Sequence, residues 1–291
     1  MGIVDILKKL SFSAACLAAT AVPLEASERK AEYLFELCGF PVTNSMLTAW
    51  IFTAVIIVLF RLLIRGGAKA VPDKGQMVIE TAIDALKNTL EPIMGARAFK
   101  GAFPLLLGIF FYILIMNWSG LLPGVGSVGE VKTLGEQSHF VPFLRPANTD
   151  LNTTLALAII SFCAWIYFVF KYAGTKAFLQ DTFGNKANRA EVALPIYLAL
   201  FFVFFAVGCI DIVSIIMRLL SLSFRLFGNN FGGEVLLEHM HELAQKLPRI
   251  FSWVIPLPFY LLEMLIGLIQ AFLFTLLTAV YIGLLTNHEE E

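Results

Sequence analysis

Ser221-Leu222-Ser223-Phe224-Arg225-Leu226-Phe227-Gly228-Asn229, followed by Gly232-Gly233-Glu234, lies inside an apolar run that extends from 191 to about 246. A second run, 251 to 286, follows the turn-forming Lys246-Leu247-Pro248-Arg249. Each is far longer than the ~20 residues needed to cross a bilayer core of ~30 Å at right angles. Helices of that length must tilt strongly, break, or lie partly across the membrane. Pro256 and Pro258 fall in the first turns of the second helix, where a missing N–H is best tolerated. The stretch 191–286 therefore predicts a long, tilted, antiparallel helical hairpin.

Working outward, apolar runs of about 20 residues recur at roughly 46 to 64, 102 to 122 and 151 to 170. With the hairpin they make about five membrane-crossing helices. Between the first two, Val78, Ile79, Ala82, Ile83, Leu86, Leu90, Ile93 and Met94 recur at intervals of mostly three and four residues, among Asp73, Lys74, Glu80, Asp84, Lys87 and Glu91. That pattern predicts one amphipathic helix over 73–98, lying on the membrane or against a partner. Gly124 to Asp150 is rich in Gly, Ser, Pro and polar residues and reads as an irregular loop. The fold class is thus an all-α integral membrane protein. No internal repeat is visible, which weighs against an inverted-repeat transporter.

Composition agrees. The chain has 291 residues, 58% hydrophobic and only 15% charged, with 27 Phe, too apolar for a water-soluble domain, so the lipid bilayer is its solvent. A net charge of −1 and the lack of any basic stretch interleaved with aromatics exclude nucleic acid as a partner class. Cys16, Cys38, Cys163 and Cys209 show no Cys-x-x-Cys spacing and read as inert packing residues. Lys8 and Lys9 precede a small-residue apolar run, Leu10 to Val22, ending near Leu24-Glu25-Ala26-Ser27. Residues 1–26 therefore predict a cleavable secretory signal, with an N-terminal helix as the alternative, ahead of a single membrane domain over 27–291. Arg61, Arg65, Lys69, Lys74, Lys87, Arg97 and Lys100 lie between the first two spans, and Lys171, Lys176, Lys186 and Arg189 follow the third. By the positive-inside rule both segments are cytoplasmic, leaving the N-terminus external and the C-terminus cytoplasmic.

The informative residues are the polar groups in the hairpin: Asp211, Arg218, Arg225, Asn229 and Glu234 on its first helix, Glu263 and Gln270 on its second. Each ionised group at mid-membrane costs at least ~2.5 kcal/mol, so several together call for a role in transport or in holding helices together. At about 100° per residue, Asp211, Arg218, Asn229 and Gly232 fall within roughly 40° of Arg225, whereas Glu234 points about 180° away. Glu263, Gly267, Gln270 and Tyr281 line up on the second helix in the same way. The bland alternative is that Arg218 and Arg225 pair with Asp211 and the glutamates to assemble the helices. Gly228, Gly232 and Gly233 are open to two readings, close helix packing or a smooth face for a moving neighbour. His239 and His241 place their rings about 200° apart, so a shared metal is not expected; His239 is read instead as a wet, titratable group near a channel mouth. No phosphate loop, Ser-His-Asp arrangement or nucleotide motif is present, so no cofactor or metal is expected and the chain by itself should neither hydrolyse nor synthesise anything.

The segment from Ser221 to Glu234 strongly resembles the signature S-L-x-x-R-L-F-G-N-x-x-x-G-E of F-type ATP synthase subunit a. Support is spread along the chain, in Met116-Asn117-Trp118 through Leu121-Leu122-Pro123-Gly124, in Thr149-Asp150-Leu151-Asn152-Thr153-Thr154-Leu155, and in Ile269-Gln270-Ala271-Phe272 with Leu276-Leu277-Thr278-Ala279-Val280-Tyr281. The resemblance implies a stator subunit of a bacterial inner-membrane ATP synthase, lying against a rotating c-ring of small hairpin subunits and held by the peripheral stalk subunit b. It implies that Arg225 is the essential arginine that controls the ring carboxylate and blocks direct leakage between two proton half-channels. Asn229, Glu234 and Gln270 match positions on the external half-channel, with Asp150 and Asn117 near its mouth and Asp211 and Arg218 toward the cytoplasm. Two departures stand out: Glu263 occupies a position where several family members carry histidine, and Leu219 one where proline is common. A secondary ion transporter using the same charges is the alternative, and a structural membrane scaffold a third option; neither explains the signature.

Overall fold

The computed structural model describes residues 33–37, 39–64, 74–122, 125, 128–134, 137–184, 194–246, 248 and 254–286. The 1–26 signal region lies outside them. In chain order, strands β1 (Tyr33–Leu37) and β2 (Phe40–Thr43) precede helices α1 (Asn44–Ile64) and α2 (Lys74–Ser119). Strands β3 (Gly129–Leu134) and β4 (Gln137–Pro142) and a 3₁₀ turn (Ala147–Thr149) lead to α3 (Leu151–Tyr172) and α4 (Gly174–Phe183). The chain closes with α5 (Leu194–Gln245) and α6 (Pro256–Thr286).

The 52 residues of α5 form one uninterrupted helix, about 78 Å long at ~1.5 Å per residue. Of the options open to so long a run, a break is excluded, leaving a helix more than twice as long as the ~30 Å apolar core is thick. Leu219, where a proline would invite a kink, keeps its place in the ladder. Four helical stretches are long and apolar enough to cross a membrane, Ile79–Ser119, Leu151–Tyr172, Leu200–Gln245 and Pro256–Leu284, and Asn44–Leu59 adds a shorter apolar stretch.

The amphipathic segment and the second span join end to end in α2, with a break at Gly95, whose φ of 73° and ψ of 151° are not helical. A positive φ there suits glycine alone among common residues. Pro92, three positions earlier, removes a helical N–H and crowds the turn behind it. The break lets the charged and apolar halves take different directions. Their buried sides still meet one core: Leu86 joins Ile109, Ile113, Leu222, Leu226 and Phe274, and Leu90 and Met94 join Leu106, Trp165, Val169 and Ile282.

Thus α2 runs along α6, and α3 lies against both α5 and α6. The Thr154 and Ser223 hydroxyls, 3.2 Å apart, tie α3 to α5 at a buried crossing. In contrast, only 6% of the most apolar stretch of α5 is buried, against 44% for α2, so the first half of α5 turns Phe202, Ile210 and Met217 outward. In a bilayer such a face meets lipid or another apolar protein.

Two sequence readings need correction. The segment 124–150 is not irregular throughout, because β3 and β4 pair antiparallel from Gly129↔Pro142 to Leu134↔Gln137. Val131, Thr133 and Val141 favour strands, but at six residues each the strands are too short for their alternation to stand out among Gly, Ser and Pro. Cys163 and Cys209 are exposed rather than packed inside; both sit on outward faces of apolar helices, where a small hydrophobe needs no protein neighbour if lipid surrounds it.

Candidate ion-pathway site in the helical hairpin

The signature segment of α5 presents two unlike faces. Ser221, Arg225, Gly228 and Gly232, spaced by four, three and four residues, are all exposed, forming one stripe. A Cβ added at Gly228 or Gly232 would meet nothing within 4 Å. Asp211 and Arg218 continue the exposed side toward the start of the helix. Arg218 lies 5.1 Å over the ring of Tyr281 on α6, a cation–π contact. Among the described residues neither Arg218 nor Arg225 makes an ion pair with Asp211, Glu234 or Glu263, so the helix-assembly reading does not account for them. Asn229, half-buried at the edge of the stripe, has a buried Nδ2 without a hydrogen-bond partner among the described residues.

The opposite face of α5 points inward, and there Glu234 meets Arg145, with Nη2 and Oε2 3.2 Å apart. Arg145 is 6% exposed and comes from the loop between β4 and the 3₁₀ turn, where its backbone N–H donates to Thr48 Oγ1 of α1 at 3.1 Å. Beside Glu234, Gly233 lies against the Glu263 carboxylate of α6, which a Cβ would overlap. The sequence left open whether the two glutamates meet across the hairpin; both border one cavity of about 110 Å³.

Asn117, Asn230, Tyr260 and His241 also line that cavity. Asn117 is held on both sides, donating to the Gly267 carbonyl at 3.0 Å and accepting from Asn148 Nδ2 at 2.7 Å. Trp118 Nε1 donates to the Met264 carbonyl at 3.0 Å and ties the end of α2 to α6. Since ~10–15 Å³ of such space and two to four polar partners suffice for one water, the cavity has room and donors for several.

Other residues singled out from the sequence lie elsewhere. Gln270, seven residues beyond Glu263 on α6, is half-buried. Asp150 caps α3, accepting from the Asn152 N–H at 2.9 Å and from Ser45 Oγ at 2.8 Å. It does not border the cavity, although its neighbour Thr149 does. His239 is exposed, its Nδ1 2.8 Å from the Val235 carbonyl, and the cavity is bordered by His241 instead. No group of three or more metal-ligating side chains occurs among the described residues.

Sequence reasoning passed over Arg145, Asn148 and Asn230. The one available signal was Arg145 itself, a cation among Pro142, Phe143, Leu144 and Pro146. In so apolar a setting a charge has to find a partner.

These features define a class: a multi-pass helical membrane protein whose charged groups collect on a hairpin of two long helices, some facing outward and others lining a polar cavity. Residues 46–283 match the ATP synthase A chain family. The chain belongs to that family, and so to the membrane sector of the F-type ATP synthase. It is similar to ATP synthase subunit a 2 of Vibrio campbellii, 29% identical over 83% of this chain and 87% of the relative. It is likewise similar to ATP synthase subunit a of Aeromonas salmonicida, 28% identical over 84% of this chain and 88% of the relative. The Aliivibrio salmonicida subunit a is 30% identical over 86% of this chain and 83% of its own length.

Proposed function

We propose that this chain is the stator that carries protons to and from a rotating ring of small hairpin subunits. The ring runs past the exposed stripe of Arg225, and the peripheral stalk subunit b holds the chain against it. The observation that carries the reading is the two-sidedness of α5 around the signature. An arginine without a partner among the described residues stands on a smooth glycine face, while Glu234 and Glu263 share a polar cavity behind it.

Each side has its own chemistry. A cation within ~4–6 Å of a carboxylate favours the ionised form, so Arg225 makes a passing ring carboxylate release its proton and keeps the two half-channels apart. The cavity, with carboxylates, amides and room for water, is the external half-channel. Its external placement rests on the cytoplasmic clusters of Lys and Arg at the other ends of the spans. Asn229, whose buried Nδ2 has no partner among the described residues, stands between the faces and suits a hydrogen bond to water or to the ring.

Cross-linking tests which face meets the ring. With Cys16, Cys38, Cys163 and Cys209 changed to Ser, Gly228→Cys should form a disulfide with a cysteine placed beside the ring carboxylate, and Gly233→Cys should not. Cross-linking at Gly233 and none at Gly228 would mean that the face has been assigned backwards.

A further inference from the structure

Two turns beyond Glu234, His241 borders the same cavity, and the sequence offered no reason to prefer it to His239. We propose that His241 is the group through which protons pass between external water and the Glu234/Glu263 cavity, an inference that rests on the half-channel reading above.

The geometry assigns the ring's protonation. His241 Nδ1 lies 2.8 Å from the Leu237 carbonyl oxygen. A carbonyl can only accept, so Nδ1 carries the hydrogen, and in the neutral ring Nε2 is the bare, proton-accepting nitrogen. Nε2 has no hydrogen-bond partner among the described residues. The ring is half-buried and held edge-on against Tyr260, with centroids 5.7 Å apart at 87°. Seven residues along a helix return to nearly the same face about 10 Å further on, which puts His241 between Glu234 and the end of α5. The side chain is therefore fixed by its Nδ1 and by Tyr260, with one nitrogen left to exchange protons.

The groups facing it are Glu234 on its own helix, Tyr260 and Glu263 on α6, and Arg145 behind Glu234. Arg145 offsets the charge of Glu234, whereas Glu263 makes no ion pair among the described residues. Glu263 is thus the acceptor. Nε2 takes a proton from external water to give imidazolium, then passes it through cavity water to the Glu263 carboxylate and returns to the neutral ring. Only N–H and O–H bonds form and break, and Nδ1 keeps its hydrogen throughout. Imidazole suits this entry step because one ring nitrogen can stay hydrogen-bonded while the other takes up and gives back the proton.

The test uses the intact synthase in liposomes, with the ATP-making head outside, so that the external end of this chain faces the lumen. ATP synthesis is driven by an acid lumen at several pH values. His241→Ala and His241→Gln should each slow synthesis by about tenfold, less than the ~10²–10⁴ of general acid–base catalysis because water partly substitutes. Imidazole loaded into the lumen should restore most of the His241→Ala rate and leave the native rate unchanged. Native rates in His241→Gln, or slow synthesis in His241→Ala that imidazole does not restore at any pH, would overturn the proposal. Arg225→Ala serves as the separate arm: if it made ATP normally, the half-channel reading would fall whatever His241 did.

Discussion

Arg225 and Arg145 are both guanidinium groups in an apolar chain, and their surroundings set them different tasks. Arg225 stands exposed on a glycine face, so its charge is available to something outside the subunit. Arg145 is buried against Glu234 and holds the loop that closes the cavity. Removing one partner of a buried hydrogen-bonded pair leaves the other to bear its desolvation. Arg145→Met should therefore destabilise the complex by about 1–3 kcal/mol, read as a lower thermal midpoint in detergent, and adding Glu234→Gln should recover part of the loss. Losses that simply add would show that the two side chains do not depend on each other. Arg225 was legible in the sequence because an ion inside an apolar run is conspicuous and helical counting fixes its side. The task of Arg145 was not, because its partner Glu234 is 89 residues away and the loop that carries Arg145 has no period to count.

At the scale of elements, the hairpin depends on how closely α5 and α6 approach at Gly233. A Cβ there would overlap the Glu263 carboxylate, whereas one at Gly232 meets open space. Gly233→Ala should then cost ~1–3 kcal/mol as overpacking, and Glu263→Asp, one methylene shorter, should relieve part of it. Gly232→Ala should stabilise the isolated subunit by up to ~1 kcal/mol through helix propensity. Equal thermal shifts for the two alanines would contradict the close approach. The two glycine readings left open by the sequence thus divide between adjacent residues, Gly233 for packing and Gly232 for an open face, a difference that one residue's 100° rotation makes and composition does not reveal. The long helices and the amphipathic segment were legible because periods of 3.6 residues extend over many turns. The pairing of β3 with β4 was not, because its six-residue strands lie in a segment whose composition reads as loop.

In the whole molecule, two uncovered faces of α5 differ in kind. Away from Asp211 and Arg218, the first half of α5 shows large apolar side chains such as Phe202, Ile210 and Met217, as a helix in lipid or beside another membrane helix must. The stripe at Arg225 shows a charge and small residues, which lipid alone would not favour. That contrast fits the proposed partner with a carboxylate, and family membership places the chain in the ATP synthase complex. The most direct measurement is ATP synthesis driven by a proton gradient in membrane vesicles carrying Arg225→Ala, with assembly checked by copurification of the other subunits. If Arg225 works as proposed, the variant complex assembles and makes no ATP under the gradient; synthesis at the native rate by that assembled variant would contradict the proposal.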